Sequence, residues 1–305
     1  MIITTPSAFL SAFANLPPLR DPRTTARAAF LVAPAAGTLA VESARDNRYM
    51  RMDAGFDTMH ALAQHVALAQ ALRADVPVVT FPGDPATPDA MFPNNVFATA
   101  PGRFIVARMR HAVRQREAER GDIRVFFRDV LQYEEVDLSR GNRGVAELTG
   151  SLVIDHARGI GYCGLSERCD MDGACAMHDA FGLRLMFCFE LAAGEYHTNV
   201  VMASLAGRAV ILAPDGFADP AVPRAIADAF DGRALWLSPE QKRAYAANAI
   251  TLSPDRVWMS GRAEASLDSA QRTTLAEWGF VVSAVELDEI EKAGGSLRCC
   301  VGEIF

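Results

Sequence analysis

Five residues with chemical potential recur along the chain at nearly one interval: Asn95, Glu147, His197, Asn248 and Cys299, separated by 52, 50, 51 and 51 residues. They comprise a nucleophile, a base, an acid and two amides. Covalent catalysis needs such a set, because a thiol attacks well when a neighbouring base manages its proton and a third group orients that base. Cys299 ends the stretch Gly294-Gly295-Ser296-Leu297-Arg298-Cys299. The two glycines permit backbone angles closed to other residues, so a strand is expected to begin after a sharp turn with Cys299 facing a cavity. Cys300 is then expected on the opposite face of that strand, and the adjacent Arg298 is expected to favour the thiolate. A lone cysteine beside a glycine turn is more often a buried structural thiol. The recurrence is what argues for chemistry.

Each of the five residues leads the same phrase: an apolar strand, a turn carrying Gly or Asp with Arg, and a returning strand. Asn95 leads 96–100 and 104–108, Glu147 leads 151–155 and 160–162, His197 leads 199–203 and 209–212, and Asn248 leads 249–252 and 257–259. Cys299 leads the fifth instance, within which the sequence ends. Helical stretches follow the hairpins, at 170–181, 220–230, 239–247 and 268–278. A unit of hairpin, helix and strand repeated five times should close on itself, since every open sheet edge needs a neighbour. The fifth unit lacks its remainder. A strand at 28–34, a helix at 53–74 and a strand at 78–81 supply it, so the two termini should meet in one blade. Met59, Leu62, Val66, Ala69 and Leu72 form the expected inward stripe of that helix. In the closed ring the five leading residues point toward one axial cavity.

The totals fit this reading. The chain has 305 residues, 50% of them hydrophobic and 22% charged, and a formal net charge of -7. That balance disfavours nucleic acid or an anionic membrane as main partner and favours a small molecule. Nothing resembles a secretory signal or a membrane span, so a cytoplasmic setting is expected. Cys163, Cys169 and Cys175 are spaced by six, wider than paired zinc ligands, and no metal or cofactor is called for. Arg108, Arg110, Arg114, Arg116 and Arg120, interleaved with Glu117 and Glu119, read as a solvated helix face. Phe127-Arg128-Asp129 leads no hairpin and reads as a solvated strand or loop.

The repeat resembles that of the guanidine-modifying enzymes, the amidinotransferase and arginine deiminase superfamily. The resemblance covers the whole chain. Gly294-Gly295-Ser296-Leu297-Arg298-Cys299 is similar to the family's late glycine-rich nucleophile motif, with Ser in the third place. Glu147-Leu148-Thr149-Gly150 matches its acid before a glycine turn, His197-Thr198-Asn199 its His-x-Asp, and Phe92-Pro93-Asn94-Asn95 stands in the place of Phe-Thr-Arg-Asp. The resemblance implies one α/β domain over 1–305, a five-bladed propeller (pentein) of ββαβ units with pseudo-fivefold symmetry. Two departures carry information. Arginine deiminases place aspartates where Asn95 and Asn199 stand, because a guanidinium calls for carboxylates. Paired amides suit a neutral ureido group instead. Phe-Pro-Asn-Asn, His-Thr-Asn-Val and Arg-Cys-x-x-x-Glu-Ile-Phe together are similar to the citrulline hydrolase branch.

By that resemblance Cys299 is the nucleophile attacking the ureido carbon of citrulline, His197 the general acid and base, and Glu147 the group that holds the substrate nitrogens and orients the reacting groups. Asn94, Asn95 and Asn199 would hold the substrate, and Arg140 or Arg143 its carboxylate. Asn248 has no assigned role. The expected partner is citrulline or an arginine-like amino acid, and a homodimer is a compatible assembly. The alternatives are an arginine deiminase, an arginine dihydrolase or a dimethylarginine hydrolase and, from another class, a non-catalytic propeller that only binds.

Overall fold

The structure, a computed structural model, describes residues 1–20, 22–35, 39–141 and 144–305. Its strands run in chain order as follows. The short β1 (Ile2–Ile3) is followed by two parallel neighbours, β2 (Ala28–Val32) and β3 (Val78–Phe81). Next comes an antiparallel hairpin, β4 (Phe97–Ala100) and β5 (Arg103–Val106), with β6 (Glu134–Asp137) parallel to β5. The same pattern recurs in β7 (Leu152–Asp155), β8 (Ile160–Leu165) and β9 (Leu185–Glu190), where β1 adds to the outer edge of β9. It recurs again in β10 (Met202–Leu205), β11 (Ala209–Leu212) and β12 (Ala234–Trp236), and in β13 (Ile250–Ser253), β14 (Arg256–Ser260) and β15 (Val281–Val285). Finally β16 (Gly302–Ile304) pairs antiparallel with β2, so the chain's last strand completes the sheet begun by its first full one.

The result is a mixed α/β fold of five small sheets, each built on an antiparallel pair and a parallel third strand. A parallel return needs a crossover, which helices provide. Two carry strong end signals. The helix Met171–Phe181 starts at Asp170, whose side chain accepts from the Gly173 N–H, and stops at Gly182, which takes the left-handed conformation at φ 63°. The helix Ser269–Glu277 opens with an Asp268/Gln271 capping box.

The helix at 53–74 is shorter than expected, Thr58–Leu72, and its inward face is rotated. Ala61, His65, Leu68, Ala69 and Leu72 are buried, whereas Met59 and Val66 are exposed. With alanines on every side, this segment has too little contrast in hydrophobicity to fix its own orientation. Phe127 also departs from expectation. It lies in a helical turn, Phe126–Val130, with its ring buried and stacked on Phe104 at 4.4 Å, while Arg128 and Asp129 face solvent. Among the described residues, no helix is long and apolar enough to cross a membrane.

Candidate active site

The five leading residues sit two to five residues before their strands, in or at the start of short turns. Cys299 belongs to a 3-10 turn, Leu297–Cys300, and the strand starts only at Gly302. The expectation that Cys299 opens the strand, with Cys300 on its other face, is therefore corrected; both thiols are buried in the turn. The glycines before it have a steric reason. Gly294 adopts φ +83°, and a Cβ there would lie 2.5 Å from both Asn47 Nδ2 and Met50 Cγ. A Cβ on Gly295 would lie 2.8 Å from the Phe92 ring.

Asn248, which had no assigned role, clamps Cys299. Its Oδ1 accepts from the Cys299 N–H at 3.3 Å, while its Nδ2 donates to Cys299 Sγ at 3.3 Å and to the Asn199 carbonyl at 2.9 Å. Asn199 Oδ1 stands 3.8 Å from the same sulfur, and its Nδ2 donates to the Thr149 carbonyl at 3.1 Å. Burial pushes the Cys299 thiol above its ordinary value, and the Ser296 backbone, Asn248, Arg298 and Asn199 offset that only in part. The expectation that Arg298 favours the thiolate gives way to desolvation. Its guanidinium is also engaged elsewhere, with the Val301 carbonyl and Glu303.

His197 Nε2 lies 2.9 Å from Glu147 Oε2, and both side chains are shut off from solvent. Burial pushes the Glu147 carboxyl up, but Arg168, His197 and Arg114 together hold it well below the usual carboxylate range. An ionised carboxylate only accepts, so the imidazole must carry its proton on Nε2 and leave Nδ1 as a bare acceptor. Nδ1 has no hydrogen-bond partner within the protein, nor does Asn95 Oδ1 nearby. Gly150 makes room for both: a Cβ there would lie 2.5 Å from Asn95 Oδ1 and 2.7 Å from His197 Cε1. Close approach thus explains the glycine three residues after Glu147. Burial lowers the His197 pKa, more than Glu147 raises it, so the ring is a neutral base at neutral pH.

Behind this pair stands Arg168, absent from the sequence reading. It is 2% exposed, with Nη1 3.1 Å from Glu147 Oε2, Nη2 2.5 Å from Asp46 Oδ1 and a further bond to the Ser43 carbonyl. Arg114 is likewise buried rather than on a solvated face. It is held bidentately by Glu117 at 2.8 and 2.9 Å and also donates to the Phe92 carbonyl at 3.1 Å. Arg114, Arg168 and Asp89 line the same cavity as Cys299, His197 and Asn95. This end of the cavity therefore offers two cations and a carboxylate, the complement of an α-amino acid. Arg140, by contrast, is 79% exposed and paired with Asp137. Arg143 lies outside the described residues. Asn94 is buried, and its carbonyl accepts from Thr149 Oγ1 at 3.0 Å, but its side chain is not among those lining the cavity.

The cavity holds about 20 Å³, room for little more than one water and far too small for an amino acid. Its roof is the segment around Ser43–Met50. Ser43 Oγ donates to Asp89 at 2.5 Å, Asn47 Nδ2 to the Gly294 carbonyl at 3.2 Å, and Asp46 is gripped by Arg168. This is a closed state. Substrate admission requires these polar contacts to part, which costs less than unpacking apolar surface because water replaces each lost bond. Among the described residues, no three His, Cys, Asp or Glu side chains are grouped to hold a metal ion.

The proton inventory gives a pH prediction. His197 is displaced below its ordinary 6.5 and the Cys299 thiol above its ordinary 9.0, so both are neutral between those limits. If Cys299 attacks with Nδ1 as its base, the bare Nδ1 is lost as pH falls through the His197 pKa, and the proton that Nδ1 would hand to the leaving group is lost as pH rises through the Cys299 pKa. A plot of kcat/KM against pH should therefore stay flat from about 6.5 to 9 and fall outside that range. A narrow bell near pH 7 would instead indicate a preformed thiolate and imidazolium.

Fold and site together define a member of the guanidine-modifying, or pentein, superfamily, whose cysteine-dependent hydrolases act on guanidino-type carbon–nitrogen bonds. Within it, the family described as N,N dimethylarginine dimethylhydrolase, eukaryotic, matches residues 33–305, and the chain belongs to that family. Solved structures agree on the fold. The N-terminal domain of ArgZ, an arginine dihydrolase from the ornithine–ammonia cycle in cyanobacteria, superposes with a TM-score of 0.77 at 18% identity, covering 91% of this chain and 97% of that domain. AgrE bound to L-arginine gives 0.77 at 17% identity, and there the chain spans only 40% of the longer protein. A dimethylarginine dimethylaminohydrolase adduct gives 0.68 at 21% identity, covering 91% and 99%. No curated protein matches the chain in sequence.

Proposed function

We infer that the chain hydrolyses the ureido group of citrulline to ornithine, ammonia and carbon dioxide through a covalent intermediate on Cys299. The paired amides carry this reading. Asn199 Oδ1 and Asn248 Nδ2 face the sulfur, and Asn95 Oδ1 lies free beside the His197 ring, so the groups gathered round the nucleophile are neutral donors and acceptors. A neutral ureido group loses no charge solvation on entering such a site, whereas a guanidinium loses a great deal. The residues at the other end fit the substrate's tail, with Arg114 and Arg168 for its carboxylate and Asp89 for its ammonium.

In the first half-reaction the Cys299 sulfur bonds to the ureido carbon, and His197 Nδ1 takes the thiol proton. The carbon–NH₂ bond then breaks. Nδ1 returns the proton to the leaving nitrogen, which departs as ammonia and leaves a thiocarbamoyl enzyme. In the second, water gives its proton to Nδ1 and adds to the same carbon. The thiol leaves reprotonated, and the released carbamate falls apart into ornithine and carbon dioxide. Glu147 does not react; it holds the ring in the tautomer that makes both transfers possible.

The five sheets are read as five blades around one axis, with residues 1–305 as one catalytic unit. Neighbouring sheets support the ring through their inner strands, since β10 packs beside both β7 and β13, and β16 beside β4.

A second reading, arginine or a methylated arginine as substrate, is favoured by the family match and by the arginine dihydrolase neighbours. Ammonia and amine release from citrulline, arginine and dimethylarginine, measured side by side, separates the two. Citrulline should give the highest kcat/KM. Brisk turnover of arginine without turnover of citrulline would overturn the first reading in favour of the second.

A further inference from the structure

A second hollow of about 450 Å³ opens beside the active site, and no residue lines both. In a chain of net charge -7, five cations meet there, Arg48, Arg51, Lys242, Arg243 and Arg262, and among the described residues Asp215 is the only carboxylate in its wall. Glu240, 72% exposed, pairs with Arg243 at 2.6 Å from the surface side, and two further acids are set behind the hollow. Glu195 is fully buried and is gripped by Arg48, Lys242 and the Tyr49 hydroxyl. Glu291, 3% exposed, stands 3.6 Å from Arg262. Lys242 is itself 3% exposed, its ammonium fixed between Glu195 at 2.6 Å and Asp215 at 2.7 Å.

This construction differs from a scatter of surface charges. Buried carboxylates anchor Arg48 and Lys242 from below, so the cations are held in place at little entropic cost when a ligand arrives. The side chains of Arg48, Arg243 and Arg262 remain 50%, 59% and 51% exposed, and so keep N–H donors facing outward. Among the described residues Arg51 has no ion-pair partner at all. Planar guanidiniums of this kind match phosphate and carboxylate oxygens two at a time. The volume suits a small molecule. Tyr49 and Tyr245, with ring centroids 5.5 Å apart, form one wall, and Tyr49 packs 5.9 Å from Tyr196, which lines the catalytic cavity.

We propose that this hollow binds a small polyanion, a phosphoryl compound or a polycarboxylate, at a site separate from that of the amino-acid substrate. The tail of an α-amino acid does not account for it, because its acidic wall residue Asp215 is already neutralised by Lys242 and no further carboxylate is free there for an ammonium. The reading is independent of which ureido or guanidino compound the active site takes.

The test is calorimetric titration of the full-length protein with pyrophosphate and, separately, citrate at constant ionic strength. One anion should bind with 1:1 stoichiometry in the submillimolar range. Arg51→Glu with Arg262→Glu should weaken that binding by at least about tenfold, while Arg128→Glu, a charge reversal of the same kind on a remote surface, should leave it unchanged. Melting of each variant without anion reports whether it folds, and Arg51→Gln alone serves if the double variant does not. Binding of pyrophosphate alone assigns a phosphoryl ligand, and binding of citrate alone a polycarboxylate. Absence of binding by either overturns the proposal. So does equal loss in Arg128→Glu, or full binding in the Arg51 variants, which would place the anion on Arg114 and Arg168 in the catalytic cavity.

Discussion

Cys299→Ala should reduce turnover to background, a loss on the order of 10⁶ in kcat, as removal of a covalent nucleophile does when no other group can take its place. The protein should fold nonetheless. The sulfur accepts only a 3.3 Å bond from Asn248 Nδ2, and that amide retains the Asn199 carbonyl at 2.9 Å. Substrate binding should therefore survive, measurable as heat or as a rise in Tm on adding citrulline or arginine. Retention of activity in this variant would remove Cys299 from the chemistry, and absence of turnover by the unaltered chain as well would return it to the class of propellers that bind without catalysis.

Glu147→Gln should be nearly as damaging, by a different route. The shape is kept, but the carboxylate that fixes the His197 proton on Nε2 is gone, and an amide NH₂ turned toward the ring would force the proton onto Nδ1. A wrong tautomer of a catalytic histidine costs about 10⁴ in kcat where it has been measured in a serine protease. Arg168 would also lose one of its two carboxylate partners in a site it shares with no solvent. Breaking a buried pair costs about 3–5 kcal/mol, a fall in Tm on the order of 10 °C for a chain of this size. The two readouts separate the roles. A variant that loses stability but retains kcat would make Glu147 a structural counter-ion to Arg168 alone.

The period of about fifty residues reached furthest from sequence alone. It placed Asn95, Glu147, His197, Asn248 and Cys299 at equivalent positions, and the structure brings their surroundings together through direct bonds, His197 to Glu147 and Asn248 to Cys299. It also paired the two ends, since β16 does join β2. What it could not reach are residues whose orientation is decided by partners distant in sequence. Arg114 looks like part of any charged helix face, and only its burial, with bonds to the Asp89 and Phe92 carbonyls 25 and 22 residues earlier, turns it into a wall of the cavity. Arg168 acquires its meaning from Asp46, 122 residues earlier. Arg298 does pull the Cys299 thiol down, as its adjacency suggests, but the sequence does not show what outweighs it. A neighbouring charge is visible in sequence, whereas the desolvation that outweighs it depends on everything packed around the thiol.

The closed cavity gives these residues a common purpose. Roof contacts from Ser43, Asp46 and Asn47 reach Asp89, Arg168 and the Gly294 carbonyl, which belong to the cavity lining or its glycine turn. A substrate that brings its own carboxylate and ammonium can compete for these partners. Opening and tail recognition would then become one event.

The central claim is that Cys299 is carbamoylated by a neutral ureido substrate. Intact-protein mass spectrometry on enzyme quenched in acid during turnover of citrulline tests it most directly, with peptide mapping to locate the adduct. The expected result is added mass equal to citrulline less ammonia, on Cys299 and absent from Cys299→Ala. An unmodified Cys299 with citrulline, alongside an adduct of arginine less ammonia on the same residue, would contradict it.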